Sequence, residues 1–230
     1  MPAGTPGARS KRTLAREAWT RGQSGANARK VMKPPGTGDA LLVVDVQNDF
    51  LPGGALGIGG GDSVQAPLNR LLRAWRALGL PVYLTRDWHP PGHCSFAERG
   101  GPWPVHCVAG SAGAEFSPRL ERVPGDVVIS KATRPDRDAY SALDGTGLAD
   151  EIRRTGVRRI FVGGLATDYC VRATGLDART AGLEVVVLRD AVCAVNVHPG
   201  DGAAAISELA AAGADLVTTG EVLASMASRP

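Results

Sequence analysis

At 230 residues, with 43% hydrophobic and only 5% aromatic side chains, the chain is long enough for one sizeable core and too short for two ordinary domains. Residues 1–39 hold eight of the 26 Lys and Arg but only Glu17 and Asp39 of the 23 acidic residues, so the formal charge of +3 belongs to the amino-terminal stretch. The remainder is mildly acidic, which argues against a nucleic-acid-binding surface.

No apolar run reaches signal-peptide or membrane-span length. Cys94, Cys107, Cys170 and Cys193 are therefore read as thiols, the protein as cytoplasmic, and a membrane partner as absent. Residues 1–37 carry Gly, Pro, Ser, Ala and Arg without apolar periodicity. They are expected to be a disordered basic extension, an inert tail in preference to a transit peptide, ahead of one domain over 38–230.

The domain opens with an apolar strand signal at Ala40–Val46, closing on Asp45 and Gln47. Val64, Leu68, Leu71, Leu72, Trp75 and Leu78 recur at helical spacing over 62–78, and Gly79 stops that helix. A second strand follows at Pro81–Thr85, then a Gly- and Pro-rich stretch over 86–125, a third strand at Asp126–Ser130 and a helix at about 147–155. Arg159–Gly163 reads as a fourth strand and about 168–181 as a helix. Strands at Leu183–Leu188 and Asp215–Thr218, a helix near 201–212 and a short last helix complete the series. Apolar strands alternating with helices predict an α/β fold, a parallel sheet covered on both faces. The connection over 86–125 is too long for a plain loop and is expected to be functional.

Ligands of open parallel sheets bind at the carboxyl ends of the strands. Asp45, then Asp87 and His89, then Lys131, then Cys170 lie at or just after successive strand ends, so chemically useful groups from four strand ends converge on one edge. Asp168 is a candidate helix N-cap, which would place Cys170 in the first turn, where free N–H groups stabilise a thiolate or an oxyanion. That segment alone leaves Cys170 open between a nucleophile and a packing thiol. Asp45 could serve as its base with Lys131 as the tuning cation, although an isolated Asp–Lys pair is equally a structural ion pair. In the long loop, Asp87, His89 and His106 could bind one ion with positions left open, a set that suits Zn, Fe or Mn. His93, Ser95 or Glu98 could add a fourth ligand directly or through water. A closed site built from His93–Cys94 and His106–Cys107 is the rival, with spacing unlike that of ordinary zinc motifs.

The segments LLVVDVQNDFLPGGALG, RDWHPPGHCSF, WPVHCV and GLATDYCVRATGLDA, in this order over roughly residues 40–225, resemble the nicotinamidase (pyrazinamidase-like) branch of the isochorismatase-like cysteine hydrolases. The resemblance implies a six-stranded Rossmann-like sheet and a catalytic triad of Asp45, Lys131 and Cys170. It also implies a cis peptide between Leu165 and Ala166, with the N–H groups of Ala166 and Cys170 facing the oxyanion. Phe50 and Trp103 fall where the family sandwiches a pyridine ring, and Asp87, His89 and His106 where it binds one divalent ion, zinc ahead of iron or manganese. The implied activity is hydrolysis of nicotinamide to nicotinate and ammonia, serving NAD salvage, with pyrazinamide as an analogue substrate and a homo-oligomer allowed. The basic extension and the charged run after Lys131 depart from the family pattern. A related amidohydrolase acting on a carbamoyl or ureido amide, a metal that itself activates water, and a non-catalytic binding protein are the alternatives.

Overall fold

The computed structural model describes residues 32–228. Expectations for residues 1–31, most of the basic extension, lie outside the described residues. Residues 33–37, assigned by sequence to that extension, are instead tied to the domain. The carbonyls of Lys33 and Pro34 accept hydrogen bonds from Arg159 at 3.1 and 3.4 Å, and the described residues from Lys33 onward form one compact unit. Among the described residues no helix is long and apolar enough to cross a membrane.

Six parallel strands are ordered β3-β2-β1-β4-β5-β6. They are β1 (Asp39–Val44), β2 (Val82–Asp87), β3 (Val127–Lys131), β4 (Arg159–Leu165), β5 (Glu184–Cys193) and β6 (Asp215–Val217). The helices are α1 (Gln65–Ala77), α2 (Leu148–Thr155), α3 (Arg172–Thr180), α4 (Asp201–Ala211) and α5 (Thr219–Ala227). Every residue of β1 and β4 is buried, as a central strand covered on both faces requires. Alternation along β1 divides the core. Ala40, Leu42 and Val44 pack with Leu148 and Ile152 of α2, Ala178 of α3 and Leu209 of α4. On α1, Leu68, Leu71, Leu72 and Trp75 form one buried stripe at i, i+3, i+4 and i+7, and Trp75 meets Phe161 of β4 edge-on at 4.9 Å. Helix α1 also contacts α5.

The chain order reverses beside β1, where β2 lies on one side and β4 on the other. A crevice therefore opens past the carboxyl ends of those strands. Close strand approach there depends on Gly164, at φ +120°, where a Cβ atom would stand 2.0 Å from the carbonyl oxygen of Val44.

Two elements differ most from the sequence expectation. Strand β5 runs on to Cys193, five residues beyond Leu188. A register shift between Val162 and Gly164 lets Val192 and Cys193 pair with the end of β4. The helix expected over 168–181 starts late, because Thr167–Val171 forms a π-type turn and α3 begins at Arg172.

Candidate active site

Asp45 follows β1 in a left-handed conformation, φ 49°, and its side chain has no exposed surface. One carboxylate oxygen, Oδ1, accepts a hydrogen bond from Thr85 Oγ1 at 2.7 Å; the other, Oδ2, lies 3.0 Å from Lys131 Nζ. Lys131 is the last residue of β3, one place further into the strand than the sequence suggested. Its buried ammonium also donates to Asp87 Oδ1 and stands 3.4 Å from Cys170 Sγ. Three strand ends and the π-turn thus meet on one cation.

Burial raises the pKa of Asp45 and Lys131 lowers it, with Asp87 adding to the rise, and the result is about 6. Burial would raise Asp87 as well, but the Lys131 ammonium reverses it and holds that carboxyl below its ordinary value. Lys131, which burial alone would neutralise, is held well above its ordinary value by the two carboxylates. Burial also pushes the Cys170 thiol well above its usual range, against the pull of Lys131. The resting group is therefore a thiol that needs a base, the role the sequence offered to Asp45.

Asp168 is not the helix cap expected. Its carboxylate reaches across to accept from the backbone N–H groups of Val195 at 2.9 Å and Asn196 at 2.8 Å. Ala166 takes the position before the turn, and its carbonyl accepts from Tyr169 at 3.2 Å and Val171 at 3.0 Å. The peptide between Leu165 and Ala166 is cis.

Donor atoms of Asp87, His89 and His106 lie within 4.8 Å of one another, and all three residues are buried. His106 directs Nδ1 at the carbonyl of Pro104 at 2.8 Å, and His89 directs Nδ1 at that of Ala132 at 3.3 Å. Both rings therefore keep an Nε2 lone pair. Burial outweighs Asp87 and lowers the His89 pKa to about 4, so its ring is neutral. Its buried Nε2 has no hydrogen-bond partner among the described residues. An unsatisfied imidazole nitrogen beside a carboxylate and a second imidazole fits a divalent ion. Donor atoms of Asp45, Asp87 and Cys170 are equally close, but the cation among them is Lys131.

Of His93 and Ser95, the possible fourth ligands, His93 contributes no nitrogen to this cluster. His93 Nδ1 bonds Ser95 Oγ at 2.7 Å, and its Nε2 meets the carbonyl of Arg137 at 3.1 Å. With both ring nitrogens taken, His93 stacks on His89 at 4.3 Å and supports it. Glu98 has no place in the cluster either. The rival site with Cys94 and Cys107 does not form, because the clustered donors are Asp87, His89 and His106.

Cys170 and Ala166 line a narrow pocket that Asp87 and His106 also enter. Phe50 and Trp103 lie on its walls with Leu56, Ile58, Tyr140, Tyr169 and Val195. Trp103 is held by its N–H to Tyr140 Oη at 2.9 Å and packs edge-on against Tyr169 at 5.0 Å. A larger hollow of about 580 Å³, between the Asn48–Gly54 loop and Ala112–Arg119, contains none of these groups. Sequence reasoning missed Thr85, Gln47 and Tyr169. The first two were visible as polar residues at the ends of apolar runs. Gln47 holds the Asp87 backbone from both sides, with Nε2 to its carbonyl and Oε1 from its N–H, each at 2.8 Å.

A family model for the isochorismatase domain matches residues 39–221. The chain belongs to the isochorismatase family. Among isochorismatase-family relatives, it is 40% identical over 200 residues to a nicotinamidase of Escherichia coli, which covers 78% of this chain and 94% of that one. The pyrazinamidase of Pyrococcus horikoshii in complex with zinc has a TM-score of 0.76 and 48% identity, over 79% of this chain and 99% of that one. The PnC1 protein of L. infantum in complex with nicotinate also has a TM-score of 0.76, at 39% identity over 83% and 97% of the two chains.

Proposed function

We propose that the protein is a nicotinamidase, hydrolysing nicotinamide to nicotinate and ammonia through a thioester on Cys170. The observation that carries this reading is the joint contact of Asp45, Lys131 and Cys170 at a pocket walled by Phe50 and Trp103. Asp45, with a pKa near the working pH, takes the thiol proton. Cys170 Sγ attacks the carboxamide carbon while the N–H groups of Ala166 and Cys170 receive the oxyanion. Asp45 returns the proton to the departing nitrogen, the C–N bond breaks, and ammonia leaves. Water, deprotonated by Asp45, then cleaves the thioester to nicotinate and free Cys170. The nicotinate produced would serve NAD salvage. Phe50 and Trp103 offer ring faces to a heteroaromatic substrate. Asp87, His89 and His106 would hold one divalent ion, zinc ahead of iron or manganese, which when bound supplies an electron-pair acceptor for a ring nitrogen.

Ammonia release from nicotinamide tests the reading. The wild type is expected to turn over, and Cys170→Ala to lose about a thousandfold or more. Retention of most activity in that variant would refute the thioester route. Hydrolysis of a carbamoyl or ureido amide, with nicotinamide untouched, would assign the site to that substrate class instead.

A further inference from the structure

We propose that Thr85 is a positioning residue for this reaction: it decides which oxygen of Asp45 faces the nucleophile. The proposal rests on the cysteine-hydrolase reading above. Thr85 lies on β2 with no exposed surface, between Leu84 and Arg86, where a valine would fill the same volume. It holds Asp45 at two points. Its carbonyl accepts the Asp45 N–H at 3.2 Å, and its hydroxyl donates to Asp45 Oδ1 at 2.7 Å. The residue so held has φ 49°, a conformation that L-residues with a side chain rarely adopt.

The need for such a latch follows from Lys131. A carboxylate turns easily about its last torsion, and an ammonium 3.0 Å from Oδ2 attracts both oxygens. If Asp45 rotated to give both oxygens to Lys131, neither oxygen would be held toward the Cys170 thiol. With Oδ1 bonded to Thr85, the buried Oδ2, which has no hydrogen-bond partner among the described residues, is left beside Lys131 for the proton it must accept. Thr85 touches neither the thiol nor the pocket, so its influence passes entirely through Asp45.

The test compares Thr85→Val, which keeps the shape and removes the donor, with Thr85→Ser, which keeps the donor. In Thr85→Val, kcat for nicotinamide is expected to fall about tenfold to a hundredfold, with KM within about twofold of wild type. Iodoacetamide modification of Cys170, followed by mass spectrometry of its peptide without substrate, is expected to slow by a similar factor. In Thr85→Ser both rates are expected to return to within about threefold of wild type. Wild-type rates in the valine variant, or a serine variant as slow as the valine one, would overturn the proposal. If the valine variant does not fold, Thr85→Ala against Thr85→Ser makes the same comparison. The alkylation rates decide the role of Thr85 even if the wild type releases no ammonia from nicotinamide, so the two readings fail separately.

Discussion

Replacing Lys131 by methionine removes the cation on which Asp45, Asp87 and Cys170 converge and leaves its volume nearly filled. Two carboxylates then remain buried with no ammonium between them. Breaking a buried pair by deleting one partner costs about 3–5 kcal/mol, because the surviving charge is uncompensated. The sign of the pH dependence follows from the shifts. Lys131 lowers the pKa of both carboxylates, so its loss raises them in the folded state. A carboxyl with a raised folded pKa favours folding below its unfolded value, about 4, and loses that contribution as pH rises through the folded value. The deficit of Lys131→Met should therefore be largest at pH 7.5 and shrink at pH 5 by about 1 kcal/mol or more, since one pKa unit is worth about 1.4 kcal/mol. Urea denaturation of both proteins, stripped of metal and compared at the two pH values, measures this. At pH 7.5 the melting temperature should fall by about 10 °C. A deficit below about 1 kcal/mol at pH 7.5, or one equal at both pH values, would refute the account of Lys131 as the cation holding the two carboxylates.

With Asp45 as the base, kcat/KM should fall as pH drops through about 6, where its carboxylate becomes protonated, and a flat profile between pH 5 and 7.5 would exclude it. His89→Asn should bind less than one equivalent of zinc by equilibrium dialysis, while Cys170→Ala binds as wild type does; equal binding in all three would move the ion elsewhere. Gly164→Ala places a methyl group against the Val44 carbonyl in a backbone conformation unsuited to alanine, so it should cost about 3 kcal/mol or more, read by thermal unfolding.

The parallel sheet was readable because β1, β4 and residues 185–188 of β5 are buried and are therefore written as apolar runs. The last residues of β5 were not readable. Arg189 and Asp190 break the apolar run, and pairing there depends on a register shift across β4 that no local pattern encodes. Asp45, Lys131 and Cys170 stood out as polar groups at strand ends, but their mutual distances are tertiary facts. The contact between Lys131 and Asp87 was invisible for the same reason, since 44 residues separate the two partners. Asp168 misled because an acidic residue after a strand reads as a local cap, whereas its acceptors are used 27 and 28 residues downstream. His93 misled because its residue type suits a metal, while its hydrogen bonds depend on Ser95 and on a carbonyl 44 residues away.

The environment around Lys131 has a consequence for the first chemical step. At rest the enclosed group of four comprises two anions, one cation and a neutral thiol. Handing the thiol proton to Asp45 relocates a negative charge by one contact distance and leaves the total unchanged. No new charge has to be created at that step of the proposed mechanism, and the ammonium is close to the charge both before and after the move. In the proposed mechanism the transfer is a rearrangement of charge around Lys131, with a barrier governed largely by the local geometry of Asp45 and Cys170.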